Sequence, residues 1–597
     1  MKKVIVELRV SPAFDMQATM KMDLAKLEGF TIDQDYESVP VSPTEDLAAS
    51  LAKAKEEVVL IRGEVDEDKE EELKKLPNVI NVWTDARIEA FDEENPEDIE
   101  AESLQEGCEE GESELGALET EEIEEIAEEL LPPFDLELAT PCPPTDCKPW
   151  VAKGTISDVA KYLRCDRLWA KGIRGRGIVI GICDSGVSKS KVPAFIGGWS
   201  PTTSYTPGTA SSTSHGTMTA FDAVGMCPEA KIYDIAILQS QGGISGLLSD
   251  AIKAYQWALN QYKKNKTPQI LSNSWGMFQK AWAPDYACDL NHPFNRKVLE
   301  VINKGMIVTF AAGNCGSQCP SGRCGSDTGP GRSIWGANGH PKVITVGAAN
   351  IREEWIGYTS QGPCCIDLRK PDFCAPSHFK GARSSDTGTS AACPVCAGVI
   401  GLLKSHDPSL TQDKVKKALQ KTAKNLCAPG WDRNSGYGMI QGKAAFDLLF
   451  GGYIPIAHAM WTHGTSIHEE FPGRLKLTRR LGPYALFEGK PGTRNWFHFA
   501  IPTPVIVDAR RLRLDSVMLM FLAHPDVWVT NVRIYDGVWG IESYDGLAMT
   551  GTHWFERFDV LNKYVRWGIG ISIGVKFGTK KTGHYIRFVT AGADFVK

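Results

Sequence analysis

The chain has 597 residues, of which 42% are hydrophobic and 23% charged, with a formal net charge of −9. That length exceeds one ordinary domain and predicts about three. The composition is that of a globular protein with sizeable cores, which excludes a fibrous or largely disordered chain. No run of eighteen apolar residues occurs, which argues against a membrane span. Between Arg87 and Lys148 there are 23 acidic residues and no Lys or Arg, so the rest of the chain is mildly basic. One acidic arm on a basic body is not the charge pattern of a nucleic-acid binder. Neither nucleic acid nor membrane is an expected partner.

Met1–Val10 begins basic, but Glu7 and Arg9 interrupt its apolar run, so it reads as a strand rather than a secretion signal. Without such a signal, the 16 cysteines predict reduced thiols and a cytoplasmic location. Cys183, Cys393 and Cys396 have apolar or small neighbours and are expected to be packed thiols. Cys315, Cys319 and Cys324 lie in a Gly/Ser/Pro loop, and Cys142 and Cys147 in a Pro-rich one. These are placed for disulfides only if the chain meets an oxidising compartment. Their spacing matches no standard zinc pattern, and no metal or cofactor is implied.

Residues 1–90 read as strand, helix, strand, strand, helix, strand. The strands are Val4–Val10, Thr31–Val41, Val58–Val65 and Val79–Thr84; the helices are Asp15–Leu27 and Asp66–Leu76. That order is the split βαβ pattern of a ferredoxin-like α+β domain. Residues 91–150 form the acidic linker. Its Glu/Gly-rich first half predicts disorder, while Ile123, Ile126, Ala127 and Leu130 fall at helical spacing. Pro132-Pro133 ends that helix, and Pro-Cys-Pro-Pro-Thr-Asp-Cys forms a stiff connector.

Residues 151–450 alternate apolar runs (Gly177–Cys183, Lys231–Leu238, Ile270–Trp275, Met306–Ala312, Val343–Ala348) with helical ones (Leu247–Tyr262, Phe294–Lys304, Ala391–Ser405, Gln412–Ala423). The alternation predicts an α/β domain, a mostly parallel sheet with helices on both faces. Residues 451–597 lose helical periodicity. Leu512–Phe521, Val527–Tyr535, Val565–Phe577 and Tyr585–Val589 are strand-like runs, so this part is expected to be an all-β sandwich or jelly roll.

Three phrases in the α/β region carry the chemistry. Gly-Ile-Cys-Asp-Ser-Gly places Asp184 at the end of an apolar strand, where such sheets present functional groups. Ser-His-Gly-Thr places His215 at a helix entrance, where a neutral imidazole can accept a proton. Asp-Thr-Gly-Thr-Ser-Ala places Ser390 at the start of a small-residue helix, whose positive end favours charge developing on a nucleophile. Pro394 is tolerable only in a first turn, which argues for the same placement. A serine hydroxyl needs a base, and the base needs an orienting group. Asn314 ends another apolar strand and can donate its amide to an oxyanion. His463-Gly464-Thr465 repeats one tripeptide in the β region without such partners and reads as coincidence.

In the order Asp, His, Ser these phrases resemble those of the subtilisin-like serine proteases (subtilases). The resemblance runs from about residue 170 to 446 and includes Ser272–Gly276, Gly347–Ala349, Ser360–Pro363, Lys370–Pro376 and Gly436–Gly438. It implies that Asp184, His215 and Ser390 form a triad with Asn314 as oxyanion donor. It also implies that Ser274, Trp275, Gly276, Ala311, Ala312 and Gly313 flank the pocket for the residue before the cut, with an extended substrate added as a strand. Trp275 is bulkier than usual there and is expected to reshape the pocket. The chain between His215 and Tyr233 is short, so a family calcium insertion is not expected.

Residues 1–90 resemble a subtilase propeptide that aids folding and blocks the cleft. The expected activity is a serine endopeptidase made as an autoinhibited zymogen, with a peptide or protein substrate and its own propeptide as partners. Two alternatives stay open: an acyl transferase using the same four residues, and a binding protein with a dormant protease scaffold. In the second, Trp461, Trp496, Trp539 and Trp554 would line a site, although sandwich cores also use tryptophan and the core is the expected place for these.

Overall fold

A computed structural model of the full chain describes residues 1–10, 24, 27–92, 145–241, 244–428, 430–451, 456–579 and 583–596. The helix expected at Asp15–Leu27 falls almost wholly outside these, as do the acidic arm, its expected helix at 123–130 and most of the Pro-rich connector. The described chain divides into two compact units, Met1–Phe450 and Gly451–Lys597.

The first unit opens with an antiparallel sheet of β1 (Lys2–Val10), β2 (Phe30–Ile32), β3 (Val39–Pro40), β4 (Glu57–Val65) and β5 (Val79–Thr84). Its order β2-β4-β1-β5, with β3 also on β4, is the α+β arrangement anticipated. The expected strand Thr31–Val41 is broken into β2 and β3. A helix at Glu45–Ala54 was not anticipated; Thr44 before an acidic first turn is its sequence signal, and only Leu51 of it is buried. β6 (Arg87–Ala90) leaves this sheet altogether.

The α/β sheet contains β7 (Thr145–Asp146), β8 (Val179–Cys183), β9 (Phe195–Trp199), β10 (Lys231–Ile235), β12 (Ile270–Asn273), β14 (Ile307–Ala311), β15 (Ile344–Ala349), β16 (Trp355–Ile356) and β17 (Phe373–Pro376). The order is β7-β16-β15-β14-β12-β8-β10-β9, with β17 on β15, and every pair is parallel except β15 with β16. β8, β12, β14 and β15 are buried at every position, which is why they read as unbroken apolar runs. One core packs a sheet face against helices His215–Met226, Gly388–His406 and Gly442–Phe450. The helix Gly388–His406 is long and apolar enough to cross a membrane, but 94% of its apolar eighteen-residue window is buried within the protein.

A second core joins the sheet to helices Leu248–Asn265 and Pro293–Asn303 and continues into the N-terminal sheet through Ile5, Val58, Leu60 and Trp83. The junction is also polar. Arg296 pairs with Glu7 at 2.5 Å, and Trp83 Nε1 donates to the same carboxylate at 3.0 Å. Asp85 accepts from Ser249 N–H at 2.9 Å and Ser249 Oγ at 2.7 Å, and Arg62 pairs with Asp250 at 2.9 Å.

The second unit is all-β, as anticipated. One antiparallel sheet orders Leu475–Arg480, Ala485–Gly489, Tyr585–Val596, Arg513–Ala523 and Gly551–Tyr564, with Ile456–His463 also on Tyr585–Val596. The other orders His468–Glu469, Arg494–Ile501, Ile569–Phe577, Val527–Asp536 and Trp539–Met549. Their shared core is Phe, Ile, Val and Leu. The expectation of core tryptophans fails for those described: Trp461 and Trp539 are exposed, and Trp496 stacks under Arg533. His463 caps a local turn, accepting from Thr465 N–H, which accounts for that tripeptide without chemistry.

Candidate active site

β8 runs directly into Asp184. Its Oδ1 accepts from Ser185 N–H at 2.6 Å and lies 2.8 Å from His215 Nδ1, with Oδ2 at 3.0 Å. His215 is the first residue of its helix, which Ser214 caps by accepting from Thr217 N–H. A proton on Nδ1 directed at Asp184 leaves Nε2 as the acceptor. Nε2 is buried and makes no hydrogen bond among the described residues.

Ser390 lies in the first turn of the helix Gly388–His406. Its Oγ donates toward Phe91 O at 2.8 Å and is 3.2 Å from Ser274 O. Asn314 Nδ2 donates to the same Phe91 oxygen at 3.0 Å. Asn314 Oδ1 accepts from Thr389 N–H at 3.0 Å and Thr389 Oγ at 2.9 Å, which fixes the amide with its donor outward. Gly388 has φ +77°, and a Cβ there would stand 2.7 Å from Phe91 O and 3.1 Å from Asn314 Nδ2. Both the backbone and the space around this oxygen therefore require glycine.

Pro394 is not in the first turn, as the sequence had suggested, but inside the helix. Lacking an N–H, it leaves the Ser390 carbonyl without its helical partner, and Ser274 Oγ donates to that carbonyl at 3.0 Å instead. The proline thus ties the helix carrying Ser390 to the strand on which the tail lies.

That tail is β6. It pairs antiparallel on one side with β11 (Ser245–Leu247) and on the other with β13 (Trp275–Gly276). Phe91 N–H donates to Ser274 O at 3.1 Å, and Ala90 N–H to Ile244 O at 3.1 Å. Ser274, Trp275 and Gly276 thus contact the tail through their main chain. Trp275 does not reshape the pocket: its indole turns into the core against Phe310 and Phe294. The Phe91 ring meets Phe278 edge to face at 5.1 Å in the same apolar cluster as Ala311. A Cβ on Gly276 would lie 2.6 Å from the tip of that ring, and one on Gly313 3.4 Å from it, so the two glycines make its slot. Ala312 packs elsewhere, with Ile334 and Cys364.

Sequence reasoning missed a buried chain behind Gly388. Gly388 N–H donates to Tyr358 Oη at 2.8 Å, Tyr358 Oη lies 2.6 Å from His378 Nε2, and His378 Nδ1 lies 2.8 Å from Asp146 Oδ2. These residues come from four separate parts of the sequence, and no local spacing marks them.

Residues 175–438 match the subtilase family model, and residues 455–590 match a family of unknown function. The minor extracellular protease Epr of Bacillus subtilis is 24% identical over 297 residues, covering 47% of this chain and 40% of Epr. Serine protease AprX of Bacillus subtilis is 27% identical over 287 residues, 42% of this chain and 61% of AprX. Subtilisin DY of Bacillus licheniformis is 26% identical over 293 residues, 47% of this chain and 96% of its own. The chain thus spans less than two thirds of the length of Epr and of AprX. Residues 175–438 thus form a subtilase domain, similar to those of the subtilisin-like serine proteases.

The expected cytoplasmic location is overturned. One relative is named for its extracellular place, and three disulfides close among the described residues: Cys147–Cys319, Cys288–Cys365 and Cys315–Cys324. Such bonds persist where thiols are oxidised. Cys183, Cys393 and Cys396 are buried free thiols, as anticipated.

Proposed function

We propose that this chain is a serine endopeptidase of an oxidising, extracellular setting, made as a zymogen that cuts itself between Phe91 and Asp92. The observation that carries the reading is the Phe91 carbonyl oxygen, 2.8 Å from Ser390 Oγ and 3.0 Å from Asn314 Nδ2. Residues 1–91 act as propeptide, 92–150 as the acidic linker, 151–450 as the catalytic domain and 451–597 as an appended β-sandwich.

In the reaction, Ser390 turns toward His215 and gives its proton to Nε2 as Oγ bonds to the Phe91 carbonyl carbon. Asp184 holds the imidazole and balances its positive charge. The carbonyl oxygen becomes an anion and takes the Asn314 amide as donor, at the positive end of the helix Gly388–His406. His215 then protonates the Asp92 nitrogen, the peptide C–N bond breaks, and an acyl-enzyme remains on Ser390. A water, deprotonated by His215, releases the Phe91 carboxylate. Until it departs, the cut tail lies in the cleft as an inhibitor. Substrates enter as the tail does, extended between β11 and β13, with an apolar side chain in the slot of Gly276 and Gly313.

The expected result is that the full-length parent yields a new N-terminus at Asp92, while Ser390→Ala remains one uncut chain. N-terminal sequencing after incubation decides it; identical fragments from both proteins would remove Ser390 from the chemistry.

A further inference from the structure

The residue following the Phe91 carbonyl is gripped by its side chain. Arg383 Nη1 and Nη2 donate to Asp92 Oδ1 and Oδ2 at 2.8 and 3.2 Å, a two-pronged pairing that a lysine would not reproduce. Arg383 is itself aimed. Its Nε donates to Thr213 O at 3.0 Å, and the Asp386 carboxylate accepts from the N–H groups of Ala382 and Arg383 at 2.7 and 2.8 Å. Behind Asp386 lies the fully buried Asp222. Burial first, and then the neighbouring Asp386, push its carboxyl well above the usual range.

A second cation grips the main chain on both sides of the same bond. Arg323 Nη2 donates to Asp92 O and Nη1 to Ala90 O, while its guanidinium lies over the Phe278 ring and pairs with Glu89 at 3.3 Å. Burial opposes an ionised Asp92, yet the neighbouring His215 imidazole and the charges of Arg383 and Arg323 hold it below the usual carboxylate range. The side chains of Asp92 and Arg383 are only 18% and 23% exposed. A neutral residue at this place would leave a largely desolvated guanidinium without its partner, and a basic one would add repulsion.

We propose that Arg383 is a specificity-determining residue that reads the side chain after the cut and selects aspartate or glutamate there. The class of substrate is thereby narrowed to extended segments with an acidic residue immediately following the scissile bond. This rests on the reading of Phe91–Asp92 as the bond cleaved.

The test offers the self-processed full chain two peptides spanning positions 88–94 that differ only at position 92, one with Asp and one with Asn. The expected result is a kcat/KM at least about tenfold higher for the Asp peptide, the scale of a charge-assisted two-pronged pair. In Arg383→Gln the ratio falls toward one, and in Arg383→Glu a peptide with Lys at position 92 overtakes the Asp peptide. Equal rates on the two peptides, by protein that a fluorophosphonate probe labels at Ser390, overturn the proposal and leave the endopeptidase reading standing. No cleavage and no labelling, as in Ser390→Ala, removes both. The comparison on unaltered protein holds whether or not the Arg383 variants fold.

Discussion

Asn314 shows how one side chain is made into a directional donor. Its carbonyl end is occupied by two donors from Thr389, so only the amide can face the cleft. Losing such a donor costs about 10²–10³ in rate. Asn314→Ala is expected to slow the proposed self-cut by that factor while leaving the melting temperature close to the parent's; a time course of the Asp92 N-terminus measures it. On the proposed reading, Asp184, His215, Ser390 and Asn314 stand out in the sequence because each sits in a local phrase at the end of an apolar strand or the start of a helix. Phe91, Arg383, Arg323 and Tyr358 were not. Phe91 reaches Ser390 across 299 positions, and Asp92 reaches Arg383 across 291. Nothing in the neighbours of either partner encodes such a meeting. Trp275 misled for a different reason: adjacent strand residues face opposite sides, and the sequence does not say which side of β13 is the core.

At the scale of elements, the large strands and helices of the α/β sheet were readable because burial on both faces writes itself as apolar runs. The helix Glu45–Ala54 was overlooked because only Leu51 of it is buried and its apolar stripe is two leucines long. The same N-terminal region supplies a pH-dependent contact. Asp85 is buried against Ser249, and burial raises its carboxyl to about 6 despite the hydrogen bonds from Ser249. Released into water it would return toward its ordinary value near 3.8. A carboxyl held higher in the docked state favours docking most strongly below pH ~4, and that advantage is lost as pH rises through ~6. If residues 1–91 are cut free as proposed, they are expected to bind the rest of the protein up to about a hundredfold more weakly at pH 7 than at pH 4 through this group. Asp85→Asn should flatten that part of the slope, as read by dissociation of the processed complex across the pH range.

Across the whole molecule, covalent links take over from local packing. Cys147 and Cys319 are 172 positions apart, so their bond closes a long loop that joins β7 to the segment beyond Asn314. Closing a loop of that length is worth up to about 5 kcal/mol. Reduction with the fold otherwise intact is expected to lower the melting temperature of the first unit by several degrees or more, which calorimetry with and without a thiol reductant would show. The sequence left these bonds open because a cysteine's oxidation state depends on its surroundings as much as on its neighbours. The placement of β6 between β11 and β13 has one more consequence. Withdrawing a middle strand leaves two facing edges separated by roughly two strand spacings, about 10 Å, each with unpaired amide and carbonyl groups. A gap of that width admits a single stretched polypeptide and rejects a helix, whose girth with side chains is about 10–12 Å and whose backbone bonds are already spent. A protease of the proposed kind would then sort proteins by local unfoldedness before any side chain is read, sparing well-packed domains and severing the loose segments between them.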